Sequence, residues 1–258
     1  MEVRPKPLEL TRDAIRDGIL RNTACQLVRQ RLLSPEALSL SIQATLATRP
    51  LGSGEVEDAV WVFGYGSLIW NPAFHFEAQR PARVIGWHRR FCLWTSLGRG
   101  TFAQPGLVLG LERGGSCTGV AYRIAREHLD SELEIIWQRE MIGGAYRPRW
   151  ISAKTEEGVV PAIAFTIDPT HHGYAGRLAE DRVAEVLATA RGALGPCTDY
   201  LFKTVTALEA HNFTDTSLQS LKRRVERLVA LRSATDGPVH GKAPGTVQMP
   251  QTPALLAI

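Results

Sequence analysis

Two glycines, Gly64 and Gly66, follow directly on the apolar run Val60-Trp61-Val62-Phe63 and precede Ser67, Leu68, Ile69 and Trp70. Glycines so placed admit positive φ and let backbone N–H groups approach a ligand closely, which suits an anion or a developing oxyanion. Three familiar glycine motifs fail here. A dinucleotide fingerprint needs a third glycine where Ile69 stands, and a serine-nucleophile elbow needs glycine where Tyr65 stands. A phosphate loop needs a lysine after the glycines, and none follows. As a bare pattern, the segment also fits a tight turn that holds nothing.

The second candidate is an acid. Glu140 ends a helical pattern set among strands, next to Trp137, Met141 and Ile142 and just before Gly143-Gly144. A carboxyl between an apolar helix face and a glycine turn is partly desolvated, its pKa rises, and it becomes suited to general-base work. The alternatives are an ion pair with Arg139 or a frayed helix end. Glu132 and Glu134 on the same helix are expected to face solvent. His171-His172 has no H-E-x-x-H pattern or matching carboxylates around it, so a surface loop is expected rather than a metal site. Trp87, Phe91 and Trp94 alternate like one face of a sheet, which favours core packing over base stacking, and Cys92 among them reads as a buried thiol.

The elements that must position these groups follow from periodicity. Residues 8–50 predict two helices, the first capped by Thr11 and carrying Ile15, Ile19, Leu20 and Leu27, the second capped by Ser34 with Pro35 in its first turn. Gly52-Ser53-Gly54 reads as a linker. Strands are predicted at Ala59–Phe63, Ala82–Trp94, Leu107–Leu111, Gly119–Ile124, Arg149–Lys154 and Val159–Ile167, interrupted by a helix from Glu127 to about Met141. Helices are predicted again over Ala175–Leu194, Thr198–His211 and Thr214–Leu231. Strands in the middle with helices at both ends mean α+β, with a strongly curved or closed mixed sheet.

Composition removes whole classes of function. The chain has 258 residues, 44% of them hydrophobic, and Lys+Arg 30 against Asp+Glu 26 leaves a net charge of only +4, so wholesale disorder is excluded. Arg89-Arg90 and Arg223-Arg224 are too short to form a nucleic-acid footprint. No stretch reaches 18 uncharged apolar residues, and Met1 to Arg12 lacks the apolar core of a leader. Cys25, Cys92, Cys117 and Cys197 are scattered without a C-x-x-C pair, which argues against a disulfide scaffold or zinc ribbon and for a reducing compartment. A soluble, cytoplasmic protein is expected.

Several motifs then match in order. The run Trp61-Val62-Phe63-Gly64-Tyr65-Gly66-Ser67-Leu68-Ile69-Trp70 resembles the signature of the ChaC family of glutathione-specific γ-glutamylcyclotransferases, in particular its bacterial members. So do Gly86-Trp87-His88-Arg89-Arg90-Phe91, Gly119-Val120-Ala121-Tyr122-Arg123, Arg139-Glu140 with Gly143-Gly144 and Tyr146, and Thr198-Asp199-Tyr200-Leu201-Phe202. The resemblance implies a γ-glutamylcyclotransferase-like mixed β-barrel flanked by helices over residues 56–232. The helical pattern over 1–55 makes an N-terminal extension that some members share, and residues 233–258, with Gly, Pro, Thr and Gln and no periodicity, are expected to be a disordered tail. The resemblance also implies cleavage of glutathione to 5-oxoproline and cysteinylglycine without metal or cofactor. The family's catalytic glutamate falls on Glu140. Its substrate-binding residues fall on Val62, Phe63, Gly64, Tyr65, Gly66, Ser67, Leu68, Tyr146 and Tyr200. Where some members carry Arg-Glu-Lys-Gly-Gly-Tyr, this chain has Met141-Ile142 and Ala145, which lengthen the turn before Tyr146.

The reaction so implied is an internal aminolysis, in which the glutamyl α-amine attacks its own γ-carbonyl. Holding two groups of one molecule in the attacking conformer can supply effective molarities of roughly 10⁵–10⁸ M, so no serine or cysteine nucleophile is needed. Glu140 is expected to take the amine proton and return it to the leaving nitrogen. The N–H groups of the 64–68 turn are expected to hold either the carbonyl oxygen or the substrate α-carboxylate. Val62, Phe63, Leu68 and Trp70 suit a dry pocket wall. Glutathione is the expected partner, with no nucleic acid or membrane, and the chain is expected to be a monomer or weak homo-oligomer. The other open reading is a non-catalytic regulatory protein, associated with cation transport, that binds glutathione or a peptide.

Overall fold

Residues 8–19, 21–22, 32–50 and 59–235 are described in the computed structural model of the protein. Among the described residues the chain opens with α1 (Arg12–Arg16) and, further on, α2 (Pro35–Ala47), and both start where their caps predict. Ala14 N–H donates to Thr11 Oγ1 and Ala37 N–H to Ser34 Oγ, each at 3.2 Å. Strand β1 (Ala59–Gly64) runs into a single-turn helix, α3 (Ser67–Trp70), and two long strands follow, β2 (Ala78–Thr95) and β3 (Gly106–Ala125). A 3-10 turn at Arg126–His128 opens α4 (Leu129–Glu140), which leads to β4 (Tyr146–Thr155) and β5 (Gly158–Ile167). Helices α5 (Glu180–Thr189), α6 (Cys197–Ala210) and α7 (Thr216–Thr235) complete the order. The expected linker at Gly52-Ser53-Gly54, the tail past residue 235, and Leu20, Cys25 and Leu27 lie outside the described residues.

The five strands close into a barrel in the order β1-β3-β2-β4-β5. Closure is made by parallel pairing of β5 with β1, Ala162 opposite Trp61 and Ile163 opposite Val62, while the other neighbours run antiparallel. A closed barrel leaves no long unpaired edge. All six residues of β1 are buried, which is why it reads as a continuous apolar run and not as an alternation. The β2–β3 ribbon slips register between Ile85 and Trp87, where Gly86 takes φ +81°, and again between Phe91 and Leu93. Such bulges bend a long ribbon and increase its twist.

Three element assignments differ from the sequence prediction. The first helix ends at Arg16, where Asp17 caps it and Gly18 takes φ +75°, short of the Ile19 expected on it. Leu107–Leu111 and Gly119–Ile124 belong to one strand, because the residues between them stay paired to β2 on either side of an exposed bulge at Gly114-Gly115. The helix predicted over Ala175–Leu194 covers only Glu180–Thr189, and Arg191–Gly192 pairs with Gly195–Pro196 as a minimal hairpin. Glu132 is also placed differently: it is 1% exposed, because Arg12 of α1 docks on it at 2.6 Å. Trp137 Nε1–H donates to Ser41 Oγ (3.0 Å) and Trp150 Nε1–H to Thr45 O (2.7 Å), so α2 packs on α4 and β4 of the same chain. Among the described residues, no helix is long and apolar enough to cross a membrane.

Candidate active site

The site begins with the rotation of α4. Leu133, Ile136 and Trp137 are fully buried, with the Trp137 ring edge-on to Phe165 at 4.9 Å, so this face is pinned to the barrel. Arg139 and Glu140 are then carried on the last turn toward α3. Met141 N–H closes that turn on Trp137 O (2.8 Å), and Gly144, at φ +70°, returns the chain into β4 and Tyr146.

Arg139 ties acid and turn together. Its Nε lies 3.0 Å from Glu140 Oε1, its Nη2 donates to Ser67 Oγ at 3.0 Å, and its Nη1 donates to the carbonyls of Asn71 and Pro72. The ion pair expected as an alternative for Glu140 is present, and Glu140 also lines a cavity. The Glu140 side chain is 15% exposed against 5% for Arg139. Burial pushes the Glu140 carboxyl above the usual carboxylate range, and the adjacent guanidinium opposes the shift without cancelling it. Burial likewise draws the Arg139 guanidinium down from its ordinary value.

The glycine turn is held from behind. Arg89, whose side chain is 3% exposed, donates to Tyr65 O (2.7 Å) and Thr118 Oγ1 (3.1 Å) and pairs with Asp215 Oδ2 (3.1 Å). Tyr122 O–H donates to Leu68 O at 3.0 Å, fixing the far side of α3. Neither Gly64 nor Gly66 takes a positive φ, so the reason for glycine here is close approach. A Cβ on Gly66 would lie 2.8 Å from the Tyr200 hydroxyl oxygen. The first turn of a helix leaves its N–H groups without intrahelical partners, and in α3 these belong to Ser67 and Leu68.

A cavity of about 880 Å³ joins these pieces and is lined by Tyr65, Gly66, Ser67, Leu68, Arg139, Glu140, Tyr146, Tyr200 and Trp70. Three residues expected at the substrate are not among its lining: Val62, Phe63 and Gly64. Val62 and Phe63 are wholly buried within β1, and Gly64 sits against Leu68 and Tyr122.

The three tyrosines converge as neutral phenols. Tyr65 O–H donates to Phe165 O (2.7 Å) and Tyr146 O–H to Leu109 O (2.8 Å). Burial raises the Tyr65 and Tyr146 hydroxyls well above their ordinary value and pushes Tyr200 up to about 12. Cys92, buried as expected, is also pushed up to about 12.

Sequence reasoning missed several parts of the site. His171 and His172 line the cavity. Gly173 N–H donates to His171 Nδ1 and His171 Nε2 lies 3.1 Å from Gly143 O, which makes Nε2 the protonated nitrogen. Leu8, Glu9, Leu10 and Thr11 of the N-terminal arm also line it, as do Arg99 and Lys203. The position of Arg99 beside a run of Gly, Thr and Pro was the available signal for a loop that functions.

A small closed barrel, carrying a helix-borne carboxyl against a glycine turn at its rim, is the class that the fold and site define. Within that class the chain belongs to the ChaC-like protein family, whose model matches residues 60–228. It is 40% identical over 222 residues to the glutathione-specific γ-glutamylcyclotransferase of Escherichia coli strain K12, covering 86% of this chain and 94% of that one. The mouse protein named glutathione-specific γ-glutamylcyclotransferase 1 is 32% identical over 170 residues, 64% of this chain and 76% of its own. In fold, the chain resembles the crystal structure of a γ-glutamyl cyclotransferase specific to glutathione from yeast. The TM-score is 0.62 at 24% identity, covering 66% of this chain and 97% of that one.

Proposed function

We infer that the protein is a glutathione-specific γ-glutamylcyclotransferase, releasing 5-oxoproline and cysteinylglycine. The observation that carries the reading is the shared cavity: Glu140 and the 65–68 turn face one space and are tied to each other through Arg139. At about 880 Å³ the cavity falls in the range that takes a small ligand.

The mechanism follows from what these groups can do. The substrate α-amine attacks as the neutral base: as its nitrogen adds to the γ-carbonyl carbon and forms the lactam C–N bond, it gives one proton to Glu140. As the C–N bond to cysteine breaks, that proton passes to the departing nitrogen, so one neutral amine is consumed and one is released. Atoms balance without water. A carboxyl raised by burial suits both halves of that transfer better than an ordinary glutamate, because its affinity for the proton lies closer to that of the amine. The first-turn N–H groups of Ser67 and Leu68 and the phenol of Tyr200 are neutral donors lining the cavity and suited to the oxyanion or the α-carboxylate, whereas the Tyr146 proton is held by Leu109 O. Arg139 keeps the turn and the acid in one rigid unit and is a positioning residue. Cys92, Cys117 and Cys197 are free buried thiols, which supports a reducing, cytoplasmic setting.

The test is Glu140→Gln, close in shape and unable to accept a proton. The expected loss of 5-oxoproline release from glutathione is about 10²–10⁴-fold at unchanged fold. Release at the unmutated rate would remove Glu140 from the mechanism.

A further inference from the structure

The cavity is lined by more than the reacting centre, and one lining residue is a buried cation that the cyclisation does not use. Arg99 is 7% exposed and lines the same cavity as Glu140. Its guanidinium carbon stands 5.9 Å from the Tyr200 ring centroid and 5.9 Å from that of Trp70. Its one hydrogen bond among the described residues is from Nη1 to Pro196 O at 3.1 Å. Lys203 Nζ lies 5.2 Å from the Trp70 centroid and faces the same space. Two acids, Asp199 and Glu9, also line the cavity; Asp199 is near enough to act on Arg99 through space, but among the described residues neither acid has an oxygen within ion-pair distance of Arg99 or Lys203.

A guanidinium largely removed from water, with no carboxylate in direct contact, is a costly arrangement. Burial accordingly draws Arg99 below its ordinary value, and the nearby Tyr200 and Asp199 only partly offset this. What it lacks is a carboxylate, and the planar fork of arginine matches one in two-point geometry. Tyr200 sets the direction. Its hydroxyl oxygen sits against the Gly66 turn, while the face of its ring carries Arg99. A γ-glutamyl group cyclising at the turn therefore extends its leaving peptide along Tyr200 and Trp70. Two extended residues span roughly 7 Å, enough to bring a terminal carboxylate past the ring to the guanidinium.

We propose that Arg99, with Lys203 beside it, binds the C-terminal carboxylate of the leaving dipeptide and so selects glutathione over γ-glutamyl compounds that end without a charge at that distance. The proposal rests on the cyclotransferase reading and adds the specificity-determining group. The contact is remote from the bond that breaks, so it acts mainly through KM.

The experiment compares 5-oxoproline release from glutathione and from its glycyl amide, γ-glutamyl-cysteinyl-glycinamide, by the wild-type protein and by Arg99→Met, Arg99→Lys and Lys203→Met. A charged hydrogen bond of this kind predicts that wild type prefers the acid about 10–100-fold in kcat/KM. In Arg99→Met the acid-to-amide ratio falls toward one through a higher KM for the acid, and Arg99→Lys keeps part of the preference. Equal use of acid and amide by wild type overturns the proposal and leaves the cyclotransferase reading standing. Equal losses on both substrates in Arg99→Met do the same, since they mark a packing role. No 5-oxoproline from either substrate with wild type overturns both. Should Arg99→Met not fold, the wild-type ratio and its reduction in the exposed Lys203→Met decide the matter.

Discussion

Glu140 lies under two opposed influences, and their balance sets the pH dependence. Burial favours the protonated acid, while the Arg139 guanidinium at 3.0 Å favours the carboxylate; burial prevails, and the carboxyl stays above its ordinary value. A base is active when deprotonated, so the acid limb of kcat/KM lies above the about 4.3 expected of an exposed glutamate. Arg139→Met removes the opposing charge. The expected result is an acid limb displaced to still higher pH, read from a pH profile of 5-oxoproline release. A limb that stays put, or moves down, would show that another group limits the rate. The tyrosines do not confuse this profile on its acid side, because burial holds Tyr200 neutral up to about 12 and Tyr65 and Tyr146 beyond their ordinary range.

The turn between β1 and α3 works by contact with α6, and that contact is testable by a pair of substitutions. In Gly66→Ala the new methyl would meet the Tyr200 hydroxyl at 2.8 Å and force the ring aside, at about 1–3 kcal/mol. Tyr200→Phe removes the atom in the way, so the penalty of Gly66→Ala measured by urea denaturation is smaller in that background by at least about 0.5 kcal/mol. Identical penalties in both backgrounds would mean that the contact does not govern the turn. This pair also marks how far the chain could be read beforehand. Glu140 was legible from local pattern, since a helical stripe ending at a double glycine places its last acid at a turn. Tyr146 and Tyr200 were reachable only through the order of family motifs, because their meeting with Gly66 depends on barrel closure. Val62 and Phe63 were misplaced because β1, buried on both faces, lacks the alternation that tells inside from outside. Arg139 was read as a rival explanation for Glu140, since its hydrogen bonds to Ser67 and Pro72 join segments far apart in sequence.

The molecule as a whole uses its N-terminal arm to complete the cavity, and one ion pair holds that arm. Leu8 to Thr11 line it, and the chain is anchored just beyond by Arg12 on Glu132 and by Leu8 N–H on Ala193 O at 2.8 Å. Burial works against a charged Glu132, but Arg12, the His75 N–H at 2.9 Å and the Ser131 hydroxyl together outweigh it and hold its carboxyl below the ordinary value. A carboxyl depressed on folding stabilises the protein above its unfolded pKa, and that stability is lost as pH falls through the lower folded value. In Arg12→Met the balance inverts, because a nearly inaccessible carboxylate loses its strongest partner. Arg12 itself is 26% exposed, so the loss falls short of the about 3–5 kcal/mol typical of a fully buried pair. The expected outcome is a melting-temperature deficit for Arg12→Met that is largest near neutral pH. It closes as pH is lowered below the unfolded glutamate value of about 4.3, where wild type also surrenders the ion pair. The loosened arm should also raise KM for glutathione with little change in kcat, since it lines the cavity and touches no reacting atom. A deficit independent of pH, or a fall in kcat at constant KM, would place the arm outside both roles.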